Sequence, residues 1–344
     1  MSRSATALCL LLFLVQPAVL EGDAKEPIGD VAFMRDGDIY TATLDGKHVR
    51  CLTTDGRNAF PIWSPDGRYI AFSKASLPVN GAYSAALCII TPDGRYQRTL
   101  KEAGSRQAFY PLAWLPRGNG LTYNELVLDS DAGLELGVVY LRKARYPSAP
   151  VSQWSRAIKR RGLLSSPPHM PGGALAFSPS GRKIIFEGST RREPPSFFPI
   201  FDLYTMNTDG SRLQRVARLE HVSVNCLRWH PSSKILSAEK RYRANLEVDS
   251  GIWLRDSNGR ALKKLAEMPQ PSLSGMDWSP KGDRIVYQLN KPGYPRGSTD
   301  PGDSGFEHPE NFATMSKYSS VWIMNADGSG KRRLASNTCH PNWR

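Results

Sequence analysis

A chain of 344 residues, 40% hydrophobic and with a mean hydropathy of −0.41, reads as soluble and has ample length for one large core. Its 45 Lys and Arg against 32 Asp and Glu leave a formal charge of +13, which points to anionic partners.

The chain opens with MSRSATALCLLLFLVQPAVLEG, a single Arg, an apolar run from Ala7 to Val15, then Pro17 and small residues. That run is shorter than the ~20 residues a spanning helix needs, and the layout is that of a secretory leader. The leader is expected over 1–22 and the folded domain over 27–344, with no membrane span and a periplasmic or secreted destination. An exported basic protein meets anionic glycans, cell-wall polymers and lipid head groups, not nucleic acid.

Residues 29–53, GDVAFMRDGDIYTATLDGKHVRCLT, supply three strands with no aromatic-ended strand before them. After them comes FPIWSPDGRYIAF at 60–72, which returns as LAFSPSGRKIIF at 175–186 and MDWSPKGDRIVY at 276–287. In WSPDGR the Pro presets its φ for a turn, the Asp bonds neighbouring backbone and the Gly accepts positive φ. Runs of Ile, Val, Phe, Tyr and Trp on either side fit a pleated, half-buried surface, so the unit is a β-hairpin. A second pattern follows each hairpin: LCIITPDG (87–94), DLYTMNTDG (202–210), GIWLRDSNG (251–259) and VWIMNADG (321–328), each leading into another short strand. Each repeat thus carries four strands.

Aligning on the aromatic before the first turn gives Trp63, Trp114, Phe177, Trp229, Trp278 and Trp343, spaced by 51, 63, 52, 49 and 65 residues. A four-stranded sheet with two apolar faces cannot bury both alone, so the copies pack face to face around an axis. CHPNWR ends the chain where a turn should follow, so repeat six is expected to take its innermost strand from the C-terminus and three strands from the N-terminus. The expectation is an all-β, six-bladed propeller of four antiparallel strands per blade.

The W-S-P-D-G-R and I-Y-x-M-x-x-D-G strings resemble the WD40-like (PD40) repeats of the TolB family of six-bladed propellers, over nearly all of the chain after residue 27. The resemblance implies the propeller. It does not extend to the separate N-terminal domain that TolB carries, because only a few residues lie between leader and first strand.

The cysteines outside the leader are Cys51, Cys88, Cys226 and Cys339. Cys51 and Cys339 fall on the outermost and innermost strands of one blade, three spacings of about 4.8 Å apart and beyond the ~7 Å limit for a disulfide. Buried, unpaired thiols are expected, with Cys51 to Cys88 the one pairing left open.

Chemistry leaves few traces. No G-x-S-x-G elbow is present; GDSGF (302–306) lacks its spacing, and ADGSGK (326–331) is the repeat's ordinary turn. LDSDAGLE (128–135) and DPGDSGFEHPE (300–310) offer oxygen ligands without the order of a calcium loop. His169 and His221 each lie eight residues before an aligning aromatic, so they occupy equivalent connections.

Turns between first and second strands and between third and fourth emerge on one flat rim. The other rim receives loops of very different length, where binding groups are usually carried. His169, His221, Arg191, Arg192, Arg241, Arg243, Tyr294 and Phe306 fall on this side as candidate binding residues. The favoured expectation is a non-catalytic, monomeric propeller without cofactor or metal, binding a protein or an anionic glycan through the loop rim. The alternative is a lyase or hydrolase on an acidic polysaccharide using His169 and His221. The basic stretch at 140–162 reads as a solvated edge.

Overall fold

A computed structural model describes residues 29–77, 84–127, 134–140, 164–165, 175–189, 201–219, 222–232, 234–243, 246–267, 275–291 and 310–344. They form an all-β protein whose strands follow the repeats.

The turns come first, because they set the strand ends. In repeat one the Gly67 N–H donates to Ser64 O, and Ser64 Oγ accepts the N–H groups of Arg68 and Tyr69 while donating to Asp66. Ser178 and Ser279 do the same work in repeats three and five. The turns between third and fourth strands use Thr91 with Asp93, and Asp209 and Asp327 accepting from Ser211 and Ser329. Each turn ends on a Gly at positive φ, between 64° at Gly67 and 90° at Gly328, which a side chain would strain.

Strand pairing then follows sequence order. Val222–Trp229, Ile235–Arg243, Leu246–Arg255 and Ala261–Glu267 make one four-stranded antiparallel sheet, and Met276–Trp278, Arg284–Asn290, Ser319–Asn325 and Arg332–Ser336 make the next. Cys339–Trp343 pairs with Val31–Arg35, which pairs onward to Asp38–Ala42 and Val49–Cys51, so one sheet joins the two ends of the described chain.

Two sheets depart from four strands per blade. Among the described residues repeat two shows three strands, Gln107–Trp114, Gly120–Val127 and Leu134–Tyr140, and a single parallel pair, Ala85 with Ala108, merges it with repeat one into a seven-stranded sheet. In repeat three the innermost position is filled in two pieces, Leu164–Ser165 and Leu175–Phe177, both paired with Lys183–Ser189.

Apolar faces meet between sheets. Trp343 packs with Val31, Phe33, Val286 and Val321 across the junction of repeats five and six, and Trp63 with Ala32, Ile70 and Phe72 across that of six and one. Phe72, Val31 and Phe33 are fully buried, each contributing about 1.5–3 kcal/mol.

Innermost strands are bulged. Phe60 (φ 59°) and His340 (φ 53°) precede Pro61 and Pro341, at register shifts between Ala59 and Ile62 and between Ala32 and Met34. Positive φ outside glycine costs on the order of 1–3 kcal/mol, and it persists here because packing fixes it. A bulge leaves backbone groups without ladder partners. The residue ten places after the aligning aromatic answers them from the preceding sheet. Ser73 Oγ donates to Phe109 O (2.8 Å), Glu187 Oε1 accepts from Val224 N (3.0 Å) and Gln288 Oε1 accepts from His340 N (2.9 Å). In repeat four the same place is Glu239, buried and paired with Arg255 at 2.6 Å.

The described cysteines are all free. Cys88, Cys226 and Cys339 are buried as expected, but Cys51 is exposed, because its three-residue strand is the outer edge of its sheet. Among the described residues no helix is long and apolar enough to cross a membrane.

Candidate functional site

The two rims differ in how their polar groups are used. On the flat rim, the carboxylates of Asp93, Asp209, Asp283 and Asp327 are held below the usual range, chiefly by hydrogen bonds from Thr91, Ser211, Ser279 and Ser329. Neighbouring turns are stapled: Arg50 donates to Asp93 O (3.1 Å), Lys263 to Asp327 O (2.8 Å) and Arg332 to Leu44 O (2.7 Å). These groups hold the fold.

His230 belongs with them. Its Nδ1 lies 2.6 Å from Ser232 Oγ, a serine–histidine pair by distance, but it also accepts the Ser232 N–H and sits where Ser64 and Ser279 sit. Its Nε2 bonds Gly282 O at 2.9 Å. Among the described residues no acid bonds the ring, and its bonds to Ser232 and Gly282 cap the turn and link repeats four and five.

The opposite rim is irregular. In repeat six it is a tight turn at Asp36–Gly37, beside a polar knot in which Asp38 Oδ1 accepts from Thr53 Oγ1, Gly56 N and Asn58 Nδ2, while Lys74 pairs with Asp55 at 2.6 Å. In repeat four the second and third strands run nine and ten residues and pair as far as Arg243 with Leu246. Four residues follow Glu239 there, so the hairpin stands roughly 13 Å above the seam at about 3.3 Å per residue. In repeat five the connection contains a helix, Glu310–Lys317. Met315 inserts beside Met34, Phe60, Tyr110 and Cys339, and Ser316 Oγ accepts the Asp36 N–H at 2.9 Å, so the helix leans over repeat six and the innermost strands.

Arg241 and Arg243 correct the sequence reading. They lie on a strand, paired in register with Asp249 and Leu246, and not in a free loop. A polar stretch lacks the alternation that marks a half-buried strand, so EKRYRANLEVDS reads as a loop from sequence. His169, His221, Arg191, Arg192, Tyr294 and Phe306 lie outside the described residues.

Along the innermost strands the sequence reading missed a polar chain. Arg228, Asp277 and Asn342 each directly precede an aligning aromatic. Arg228 Nε lies 3.6 Å from Asp277 Oδ1, Asn342 Nδ2 donates to Asp277 Oδ2 (2.7 Å), and Trp63 N donates to Asn342 Oδ1 (2.6 Å). Trp114 Nε1 continues the ring by donating to Ile62 O at 3.1 Å. Desolvation pushes the Asp277 carboxyl up, against Arg228 and the N–H groups of Trp343 and Trp278. Deeper still, Phe60 meets His340 edge-on at 4.5 Å and Tyr110 at 5.6 Å. Among the described residues no three His, Cys, Asp or Glu side chains converge as metal ligands. What the described geometry offers is a rigid body with one uniform and one individual rim.

No protein-family model and no curated protein matches the chain. Among solved structures it is similar to TolB from Acinetobacter baumannii, with a TM-score of 0.60, 13% identity and 92% of this chain covered. The chain spans 66% of that TolB, just under two thirds. A putative TolB from Agrobacterium tumefaciens gives 0.49 at 15% identity, covering 89% of this chain and 87% of that one. A puromycin-hydrolyzing peptidase from Mycobacterium tuberculosis gives 0.44 at 17% identity, covering 74% and 39%. At such identities the likeness to TolB speaks for the fold alone: this chain is a β-propeller of TolB-like architecture.

Proposed function

We propose that the protein is an exported, monomeric, six-bladed propeller that binds one macromolecular partner, a protein or an anionic glycan, through the rim carrying the connections between blades. The observation that carries this is the contrast between rims. Flat-rim turns repeat one geometry and use their Ser and Asp side chains internally, whereas the described parts of the other rim differ among repeats six, four and five, from the two-residue turn at Asp36 to the hairpin around Arg243 and the helix at Glu310. Specific recognition needs individual features held on a rigid support. Arg191, Arg192, Arg241, Arg243, Tyr294, Phe306, His169 and His221 are the side chains we assign to it.

The test is affinity for the captured partner in paired variants. Charge reversal at Arg192 and Arg243 is expected to weaken binding at least tenfold, while Asp66→Lys and Asp327→Lys alter stability only. Loss of binding in folded flat-rim variants alone would place recognition on the wrong face. Turnover of uronic-acid polymers, abolished by His169→Ala or His221→Ala, would favour a lyase or hydrolase instead.

A further inference from the structure

The flat rim has a property that turn-making does not require. The five described hairpins that join third to fourth strands, at 45–51, 93–101, 209–219, 256–267 and 327–336, hold fourteen Lys and Arg against six Asp and Glu. Counted only from each turn into the first half of its outer strand, at 45–50, 93–98, 209–215, 256–263 and 327–333, they hold eleven Lys and Arg against five Asp. In all five a cation stands directly behind the turn: Lys47, Arg95, Arg212, Arg260 and Lys331, every one exposed. Arg50, Lys263 and Arg332 staple neighbouring turns, but these five are not needed for that.

Charge on an outer strand guards against edge-to-edge pairing. Cations within the strands, such as Arg98, Arg215, Lys264 and Arg333, serve that end, whereas the five behind the turns stand outside the strands. A second observation separates a lipid surface from a soluble polyanion. Of the four exposed large hydrophobic side chains among the described residues, three lie within two positions of one of these cations: Val49 (44% exposed), Tyr96 (46%) and Leu262 (51%). A soluble polyanion rewards charge alone, whereas a bilayer interface also takes up Tyr and aliphatic groups beside Lys and Arg. The turns share one hydrogen-bond pattern, Gly46 to Thr43, Gly94 to Thr91, Gly210 to Asn207, Gly259 to Asp256 and Gly328 to Asn325, which brings these groups to one level.

We propose that the flat rim docks the propeller onto an anionic lipid bilayer, with Lys47, Arg95, Arg212, Arg260 and Lys331 meeting phosphate head groups and Val49, Tyr96 and Leu262 entering the interface. A uniform rim suits a partner without individual features. The loop rim then faces away from the bilayer, open to its own partner, so this docking stands or falls independently of that reading.

The experiment is co-sedimentation of the mature protein with vesicles of phosphatidylglycerol mixed into phosphatidylcholine, against phosphatidylcholine alone, at rising salt. Binding is expected only to the anionic vesicles and should fall steeply with salt. Each cation near the surface contributes about fivefold, so Arg212→Gln with Lys331→Gln should weaken partitioning about 25-fold. Lys291→Gln with Lys317→Gln, on the other rim, should leave it unchanged. Tyr96→Ser with Leu262→Ser should weaken vesicle binding while retention on dextran sulfate is kept. The proposal is overturned by retention on dextran sulfate without vesicle binding, by no anionic binding at low salt, or by vesicle binding that only the Lys291 and Lys317 pair reduces.

Discussion

Asn342 is where the structure is most sharply testable, because this one side chain ties three repeats. It accepts from the buried Trp63 N–H of repeat one and donates to Asp277 of repeat five, while its own strand closes repeat six. Asn342→Ala orphans the Trp63 N–H, a loss of about 1–3 kcal/mol, and removes a bond to a charged acceptor worth about 1.5–3 kcal/mol. The expected cost is about 3–5 kcal/mol, read as a lowered urea midpoint at unchanged slope. Asn342→Asp keeps the acceptor for Trp63 but sets a second carboxylate against Asp277, whose own carboxyl burial already pushes up. Paired carboxylates raise one folded-state pKa above its unfolded value. The extra stability of the protonated form is present below the unfolded pKa and lost as pH rises through the folded one. The Asp variant should therefore approach the parent on acidification, and the Ala variant should not. A cost below about 1 kcal/mol for Ala, or an Asp variant whose deficit ignores pH, would refute the closure network.

Glu187 supplies a second pH effect: burial pushes its carboxyl up to about 8, against the Val224 N–H that favours the charged form. Its folded pKa is raised, so its contribution is lost between the unfolded value of about 4.3 and pH 8. Glu187→Gln, which keeps the acceptor, should flatten the stability profile in that window; an unchanged slope would show the group is not buried as described. With the described cysteines free, mild reductant should leave the melting temperature unchanged, and a thiol reagent should modify Cys51 in the folded protein but Cys88, Cys226 and Cys339 only on unfolding. Fast modification of all four would contradict the buried strands. Deleting Cys339–Arg344 should unfold the protein at much lower denaturant, since Cys339–Trp343 is buried along its whole length; an unchanged midpoint would disprove closure by the C-terminus.

Much of this was legible in sequence wherever the cause is local. Pro65, Asp66 and Gly67 dictate a turn whatever surrounds them. The polar residues between repeats were not read, although Ser73, Asn124, Glu187, Glu239 and Gln288 all stand ten residues after an aligning aromatic, because the partners of Ser73, Glu187 and Gln288 lie in the next repeat. Nor was the helix at Glu310–Lys317, because eight residues are too few to declare themselves and its support is tertiary, through Met315 and Ser316. The hairpin of Arg241 and Arg243 was missed for a related reason, since Lys240, Arg241 and Arg243 give no apolar alternation and only non-local pairing marks it as strand. Of the candidate site, position along the chain was legible and the company each side chain keeps was not.

The measurement that bears most directly on the central claim is site-specific photocrosslinking in the envelope fraction of the protein's own cells. One photoreactive residue replaces Asn245, in the sequence between Arg243 and Leu246, and another replaces Lys281 in a flat-rim turn. The account predicts a discrete macromolecular adduct from position 245, competed away by unlabelled protein, and none but lipid from position 281. A competed macromolecular adduct from position 281, with none from 245, would contradict it.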